Sequence, residues 1–330
     1  MKICKVLFFF SILWSCVQKE DRNSSETKIY SKKEINFDGR INRYFVDDNS
    51  IHIVGSPYEI IRSYNDDGSL IKETGKKGPA SWEISSVWWY DENDSIYTIY
   101  DYGKNLINRF DSETDSLLLS YKFASRSNVI KYDINKFLSS QINEKGEFEF
   151  VLIDISDGTY KKSFPINDML VALGVEEKKD LDFLLYGDFA GSQESPEIFI
   201  YYCLNAPVFF RIDLEKETVQ LFKDFRYEFM PEVYRSGNNV VLNPNQNWFV
   251  SGTIIENKIY FLTIERNEYY VEIDSKWFLD VYDLNSGIYM ESILIERSED
   301  EYFPFEIKSR NNEIIIGWNF EKLKIYEFGK

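Results

Sequence analysis

Short runs in which apolar and polar residues alternate dominate the chain, and Asn, Asp and Gly separate them. The apolar positions are mostly aromatic or β-branched, which is typical of strands. Helical periodicity is nearly absent. The one short exception is residues 169–173, with Asn167 or Asp168 as the predicted cap and Gly174 as the stop. The pattern predicts an all-β protein.

Two motifs recur along this pattern, six times each. The first is a turn followed two residues later by an apolar strand, starting at Asn49, Asp94, Asn135, Pro196, Asn257 and Asn312. The second ends a strand on an apolar residue followed by Asn, Asp or Glu, at Tyr64, Phe110, Ile153, Ile212, Tyr282 and Tyr326. Several copies continue into turn residues suited to a hairpin, such as Asp67-Gly68.

The alternation of the two motifs indicates a repeat of about 40–50 residues built from four short strands, which is typical of a β-propeller blade. We therefore predict a six-bladed β-propeller of four-stranded antiparallel blades over residues 32–330. The last blade has sequence for only three strands, at residues 305–309, 313–318 and 323–328. An N-terminal strand near residues 32–37 is expected to complete it and close the ring.

Residues 67–79, followed by residues 96–101, resemble the first blades of the six-bladed propeller lipoproteins of Bacteroidetes, whose shape is related to NHL-repeat and TolB-like propellers. The resemblance is specific over residues 51–111 and architectural beyond them. Where that family continues as Gly-Pro-Gly-Glu, this chain continues from Gly78-Pro79 into Ala80. The resemblance implies a fold and a location, not a reaction.

The N-terminus has the layout of a secretory signal peptide: Lys2 and Lys5, an apolar run over residues 6–14, then Ser15-Cys16. The run is too short to span a bilayer, which needs about 20 apolar residues. Residues 13–16 resemble the bacterial lipoprotein processing box, apart from Trp14. We expect a signal peptide over residues 1–15, acyl chains on Cys16 that hold the protein to the membrane, and a polar tether over residues 16–31.

Residues 17–21 resemble the short acidic signal that sends such lipoproteins to the outer face of the outer membrane. This predicts a lipid-anchored protein of the outer membrane that faces the cell exterior, with the periplasmic face as the alternative. The same composition would also suit a plain polar tether. Both interpretations stay open at this point.

Charge and residue types exclude several functions. A formal net charge of −17 argues against nucleic-acid binding, which depends on Lys and Arg at phosphates. No cofactor motif or metal-ligand spacing occurs, so no cofactor and no metal are expected. Cys203 lies in an apolar run and is predicted to be a buried structural thiol. The single histidine, His52, is predicted to be a packed or hydrogen-bonded strand residue.

Unequal spacing between the motifs places insertions at residues 165–180, 223–247 and 266–275. In an up-and-down blade these three connections lie on one rim, over blades four and five, and insertions on one face often mark a binding surface. The alternative is that these loops only pack against the rim. The candidate binding residues are the aromatics and arginines of two insertions: Arg226, Tyr227, Tyr234, Arg235, Arg266, Tyr269 and Tyr270.

Two functions remain. The favoured one is a non-catalytic surface propeller that binds a protein or glycan through this rim, because no catalytic residue can be identified. The alternative is a glycan hydrolase or lyase with carboxylates at the central channel. Charged residues lining one channel mouth would favour the enzyme, and an apolar plug would favour the binder. Strand alternation predicts that Trp88 and Trp89 point to opposite faces, so at least one belongs to the core.

Overall fold

The apolar runs of the sequence form strands, and four consecutive strands form each blade. The computed structural model describes residues 24–56, 60–76, 78–80, 83–93, 95–123, 128–175, 180–192, 194–237, 239–243, 248–265 and 275–327. Within them the chain forms six four-stranded antiparallel blades. The predicted six-bladed β-propeller is confirmed.

The first three blades follow one another without interruption. Blade one consists of β3 (Arg40–Val46), β4 (Ile51–Ser56), β5 (Ile61–Tyr64) and β6 (Leu70–Thr74). Blade two consists of β7 (Val87–Asn93), β8 (Ile96–Asp101), β9 (Leu106–Asp111) and β10 (Leu117–Lys122). Blade three consists of β11 (Asn128–Lys131), β12 (Lys136–Ile142), β13 (Phe148–Asp154) and β14 (Thr159–Pro165).

The later blades are separated by longer links. Helices α1 (Asn167–Val171) and α2 (Leu181–Leu184) precede blade four, which consists of β15 (Gly187–Gly191), β16 (Ile198–Cys203), β17 (Val208–Asp213) and β18 (Thr218–Lys223). A separate hairpin follows, formed by β19 (Glu232–Ser236) and β20 (Asn239–Asn243). Blade five consists of β21 (Ser251–Ile255), β22 (Lys258–Ile264), β23 (Trp277–Asp283) and β24 (Tyr289–Ile295).

Blade six is completed by the N-terminal part of the chain. It consists of β25 (Pro304–Arg310), β26 (Glu313–Trp318), β27 (Lys322–Glu327) and the early strand β2 (Ser31–Asn36). Strand β2 pairs antiparallel with β27, and Ile35 is buried against Leu323 and Ile325. The predicted closure is confirmed, so the first and last parts of the propeller depend on each other.

The first strand of each blade borders the central channel, and neighbouring first strands lie against one another around it. Because successive strands of a blade are antiparallel, its connections fall on two rims. We call the rim with the hairpins between first and second strands the turn rim. We call the opposite rim, which carries the links between blades, the link rim.

Aromatic side chains fill the spaces between blades. Phe209 on β17 packs edge-on against Tyr282 on β23, with 5.2 Å between ring centroids, and against Phe261 on β22. Phe150 on β13 makes a similar contact with Tyr201 on β16. Edge-to-face pairs of this kind stabilise beyond the area that they bury. The aromatic residues of the sequence therefore hold neighbouring blades together.

An additional strand, β1 (Ser24–Ile29), extends blade five. It pairs parallel with β24, and Ile29 is buried in the cluster between blades five and six. Part of the polar tether expected over residues 16–31 is therefore strand, because Ile29 is an apolar residue that packs between blades five and six. The remainder of that tether before residue 24, the signal peptide and Cys16 lie outside the described residues.

The predicted short helix is present with different ends. Helix α1 starts at Asn167, and its N-cap is Ile166, which makes no side-chain capping bond. Neither Asn167 nor Asp168 caps it, because burial of Ile166 in the core fixes where the helix begins. Gly174 has a φ of +82°, so it ends this segment as predicted.

Candidate binding surface

Two links between blades pack together on the link rim and form what we call the insertion platform: residues 166–175, 180–186, 224–237 and 239–243. It has its own apolar interior, to which Leu170, Leu181 and Leu184 contribute from the first link and Met230 and Leu242 from the second. This interior is continuous with the core between blades three and four. The platform is thus a folded surface built on the propeller.

Arg226 fixes the second link to blade five. Its Nε lies 2.6 Å from Asp224 Oδ1, its Nη2 lies 2.8 Å from Asp224 Oδ2, and Asp280 is 3.8 Å away. The Tyr282 hydroxyl donates to Asp224 Oδ2 at 2.9 Å. Burial acts to lower the pKa of Arg226, but Asp224 and Asp280 outweigh this and raise it. Arg226, a candidate contact residue from sequence, is therefore largely withdrawn from solvent in an ionic network that supports the platform.

Tyr227 is half-buried, although sequence reasoning placed it on the contact surface. Its ring packs against the platform interior, and the ammonium group of Lys223 lies 4.3 Å from the ring centroid. Burial raises the pKa of the Tyr227 hydroxyl. Tyr227 is therefore partly accessible to solvent, and it also packs the second link against the platform interior.

Tyr234 and Arg235 lie on β19 and are exposed. The Arg235 guanidinium pairs with Asp180 of the first link, so this contact joins the two links at their surface. A cavity of about 590 Å³ lies beside them, lined by residues 174–175 and 230–235 together with Asp180 and Leu184. Two of the predicted residues thus border an open groove between the links.

Two further exposed apolar side chains on the platform were missed by sequence reasoning. Val171 at the end of α1 is 62 % exposed, and Phe229 beside Met230 is 54 % exposed. Phe229 belongs to the same aromatic segment as Tyr227, so the composition of this segment could have identified Phe229 as a candidate. Val171 could not be recognised, because only the helix geometry shows that it points away from Leu170.

The remaining three predicted residues, Arg266, Tyr269 and Tyr270, lie outside the described residues. Their insertion leaves β22 after Ile264 and returns at β23 with Trp277, a connection between second and third strands. Such connections lie on the link rim, as do the two links of the platform. The topology therefore agrees with the predicted placement of all three insertions on one rim.

The central channel contains charged residues at its turn-rim end. Arg43 on β3 pairs with Asp188 on β15 at 2.6 Å, and Lys308 pairs with Glu306, both on β25, at 3.1 Å. Lys131 on β11 pairs with Asp91 on β7. The three cations and two of the carboxylates, Asp91 and Asp188, line a cavity of about 390 Å³, which we call the channel mouth.

Trp88 and Trp89 both line the channel mouth, contrary to the alternation expected from the sequence. Both also pack against the apolar cluster between blades two and three, so the prediction that at least one belongs to the core is confirmed. The pairing of β7 with β8 shifts register between Val87 and Trp89, which leaves Trp88 as an extra residue in the ladder. The Arg43 guanidinium lies 3.7 Å from the Trp88 ring centroid and donates to the Trp88 carbonyl oxygen at 2.5 Å. The bulge therefore brings both indoles to the channel.

His52 lies between two hydrogen-bond partners. Its Nδ1 is 2.8 Å from the Ser63 hydroxyl, and its Nε2 is 2.8 Å from Asp47 Oδ2. These are the residue types of a hydrolase triad, but Ser63 is 1 % exposed within β5 and a substrate could not reach its hydroxyl. The prediction of a hydrogen-bonded strand histidine is confirmed.

In the described part of the chain, neither Cys203 nor the acidic residues form a reactive-thiol or metal-binding site. Cys203 is buried, as predicted, and burial raises the pKa of its thiol. Among the described residues, no three His, Cys, Asp or Glu side chains are grouped so that they could hold a metal ion. None of the helices in that part is both long enough and apolar enough to cross a bilayer.

Comparison with solved structures finds proteins of similar fold. It is similar to a member of the DUF4221 family from Bacteroides vulgatus, with a TM-score of 0.58 and 10 % identity over 93 % of this chain and 99 % of that one. It is also similar to a Bacteroides fragilis protein described as exported, with a TM-score of 0.55 and 9 % identity over 93 % and 98 % of the two chains. No protein-family model and no curated protein matches the sequence. At this identity the similarity shows the fold.

Proposed function

We propose that this protein is a non-catalytic cell-surface lipoprotein that binds a protein or glycan partner through the insertion-rich link rim of blades four and five. The observation that carries the proposal is the insertion platform itself. It is a folded addition to the propeller that keeps Val171, Phe229 and Tyr234 exposed, and Tyr234 lines an open groove between its two links. Exposed apolar groups gathered on one surface are typical of interaction sites.

A protein is the better-fitting partner of the two. Val171 is aliphatic, Phe229 has no polar atom on its side chain, and the Arg235 guanidinium lies at the rim of the groove. An apolar centre with aromatic and Arg residues is the usual composition of protein interfaces. Arg226 would act indirectly, because it holds the second link in place.

The exported neighbour from Bacteroides fragilis supports passage across the inner membrane. We propose the outer membrane as the destination and the cell exterior as the side that the protein faces, with the periplasmic face as the alternative. Membership of the NHL-repeat or TolB-like group of Bacteroidetes propeller lipoproteins is part of the same proposal. It rests on residues 67–79 and 96–101 and on the six-bladed fold.

The channel mouth is the one feature that favours the alternative, a glycan hydrolase or lyase. Asp91, Asp188 and Glu306 are carboxylates that point into or border the channel. Each of them, however, is bound to a Lys or Arg, and acid–base chemistry needs a carboxyl group that is free to exchange a proton with the substrate. The ion pairs therefore favour binding over catalysis.

The lipid anchor is tested by Cys16→Ser in the native organism. We expect the wild-type protein in the membrane fraction, with acyl chains on residue 16 detected by mass spectrometry, and the variant outside the membrane fraction. Surface proteolysis of intact cells then distinguishes the exterior from the periplasmic face. A variant that remains in the membrane fraction would contradict the anchor.

The binding surface is tested by capture from the native organism with a triple variant, Phe229→Ala, Tyr234→Ala and Arg235→Ala. Partners that bind at the platform should be recovered with the wild-type protein and lost with the variant. The three side chains are exposed, so the fold should be unaffected.

The matched control carries the same kinds of change on other exposed positions: Leu118→Ala, Tyr160→Ala and Lys216→Ala. These residues lie on the outer strands of blades two and three and in a turn of blade four. The control should recover the same partners as the wild type. Equal recovery by both triple variants would contradict the proposed surface.

A further inference from the structure

The channel mouth has features of a ligand site that are independent of the insertion platform. Its volume of about 390 Å³ lies within the range of small-molecule pockets, which runs from about 300 to 1,000 Å³. Its lining comes from the later parts of β11 and β15, up to Lys131 and Gly191, and from Ser192 in the next connection. These positions place the opening on the turn rim, on the opposite side of the propeller from the platform.

Part of the lining is formed by Arg43 and the groups that hold it. Arg43 is held by Asp188 at 2.6 Å and by the Trp88 carbonyl oxygen at 2.5 Å, with its guanidinium over the Trp88 ring. Burial acts to lower the pKa of Arg43, but Asp188 and Glu306 raise it, so the guanidinium is charged. A ligand that enters from the turn rim would meet this group without displacing it.

The charged side chains of the cavity wall are already engaged in ion pairs. The lining contains three cations, Arg43, Lys131 and Lys308, and two carboxylates, Asp91 and Asp188. Each cation is already paired: Lys131 with Asp91, Arg43 with Asp188, and Lys308 with Glu306, which is buried outside the lining. An ammonium has three donors and a carboxylate accepts several hydrogen bonds. Each wall pair therefore keeps hydrogen-bonding capacity for a ligand after the pair has formed.

This balance selects the class of ligand. A charged solute would find no unpaired counter-charge and would have to separate a pair, which is costly away from water. A hydroxyl group both donates and accepts, so it can contact the cation and the carboxylate of one pair together. In addition, the partly exposed Trp89 and Tyr132 supply aromatic surface.

We propose that the channel mouth binds a neutral saccharide of one or two rings, held by hydroxyl contacts to the Lys131–Asp91 pair and the Lys308 ammonium and by the Trp89 ring. The site binds the sugar without cleaving it. The proposal goes beyond the partner of the insertion platform, and it does not depend on that partner or on the lipid anchor.

The test is saturation-transfer NMR on residues 16–330 with glucose, galactose, N-acetylglucosamine, maltose and lactose as probes. Glucuronate and glucosamine serve as the charged comparisons. We expect transfer to at least one neutral sugar, and binding of the charged analogues at least about tenfold weaker, because they must compete with an existing ion pair.

Two variants locate the site. Trp89→Ala removes the aromatic surface and Asp91→Asn keeps the size of the side chain while removing its charge. Each should weaken binding of the neutral sugar by about tenfold or more. Because Trp89 also contacts Phe137 of the core, Asp91→Asn is the variant that is expected to keep the native fold. Tyr234→Ala on the insertion platform is the control and should bind the sugar as the wild type does.

Three results would overturn the proposal: no transfer to any of the five neutral sugars, binding unchanged in Asp91→Asn, or glucuronate or glucosamine binding at least as tightly as the neutral sugars. None of these results bears on the platform, since the two sites lie on opposite rims. Loss of partner capture by the platform variant, with sugar binding retained, would likewise leave this proposal standing.

Discussion

At the scale of single residues, a network of charged side chains holds the insertion platform in position on the propeller. Asp224 and Asp280 are fully buried carboxylates, and Arg226 is the cation that contacts both of them. Asp280 also accepts a hydrogen bond from Thr263 at 2.6 Å. These groups connect the second link to β22 and β23 of blade five, so the position of the insertion platform depends on them.

Replacing Arg226 by Ala should reduce the free energy of unfolding by about 3–5 kcal/mol, because two buried carboxylates would lose their cation. The matched control is Arg235→Ala, which removes an exposed ion pair and should cost less than about 1 kcal/mol. Urea unfolding followed by tryptophan fluorescence measures both. Equal losses in the two variants would show that the buried network does not have this role.

Asp47 gives the protein a defined sensitivity to acid. Partial burial acts to raise its pKa, but the hydrogen bond with His52 and those from the Asn49 and Ser50 amides outweigh this and lower it to about 2. A lowered pKa means that the stabilising contribution is complete above the unfolded value of about 4 and is lost as the pH falls through 2.

We therefore expect Asp47→Asn to be less stable than the wild type at pH 5 and to approach it as the pH falls toward 2. Asp48→Asn, an exposed neighbour in the same turn, should follow the wild type throughout. The urea midpoint at pH 5, 4, 3 and 2 is the measurement. A difference between Asp47→Asn and the wild type that grows toward low pH would contradict the assignment.

The residue scale also shows where sequence reasoning reached its limit. The burial of Cys203 and the hydrogen bonding of His52 could be predicted, since both lie in apolar strand patterns. Arg226 could not be assigned correctly, because Asp280, one of its two partners, is far away in sequence and only the fold brings it close. Composition identified a set of aromatics and arginines, but not which of them face solvent.

At the scale of elements, closure of blade six by β2 is the contact that makes the propeller a ring. Ile35 is 4 % exposed and packs on β27 residues Leu323 and Ile325. Ile35→Asp would place an unpaired charge in this cluster and should reduce the free energy of unfolding by at least about 3 kcal/mol. The exposed Ser31→Asp on the same strand should change it by less than about 0.5 kcal/mol.

Thermal unfolding and limited proteolysis measure the effect of these two variants on ring closure. With Ile35→Asp we expect a lower Tm and earlier cleavage at the N-terminal end of the propeller. Closure through β2 would be refuted by an Ile35→Asp protein as stable and as resistant as Ser31→Asp.

The strands were predictable because alternation and turn residues are local signals that repeat in each blade. The bounds of β26 matched to the residue, and the closing strand differed by one position. The ends of α1 and the bulge in β7 were not predictable in the same way. Burial of Ile166 and the extra residue Trp88 are consequences of packing against other blades, which no local pattern contains.

At the scale of the whole molecule, the two rims have different surfaces. The link rim carries the insertion platform with its exposed apolar groups, and the turn rim carries the channel mouth with its paired charges. The six-bladed fold and the rim that bears the insertions were predictable, whereas the paired charges of the channel were not.

The central claim, that the insertion platform is the surface that meets the partner, is tested most directly by photo-crosslinking in living cells. A photoreactive phenylalanine analogue replaces either Tyr234 on the platform or Tyr160 on the outer strand of blade three, two tyrosines of similar exposure at 49 % and 52 %. We predict a discrete crosslinked adduct from position 234 and none from position 160. Adducts of equal yield at both positions, or an adduct at position 160 alone, would contradict the account.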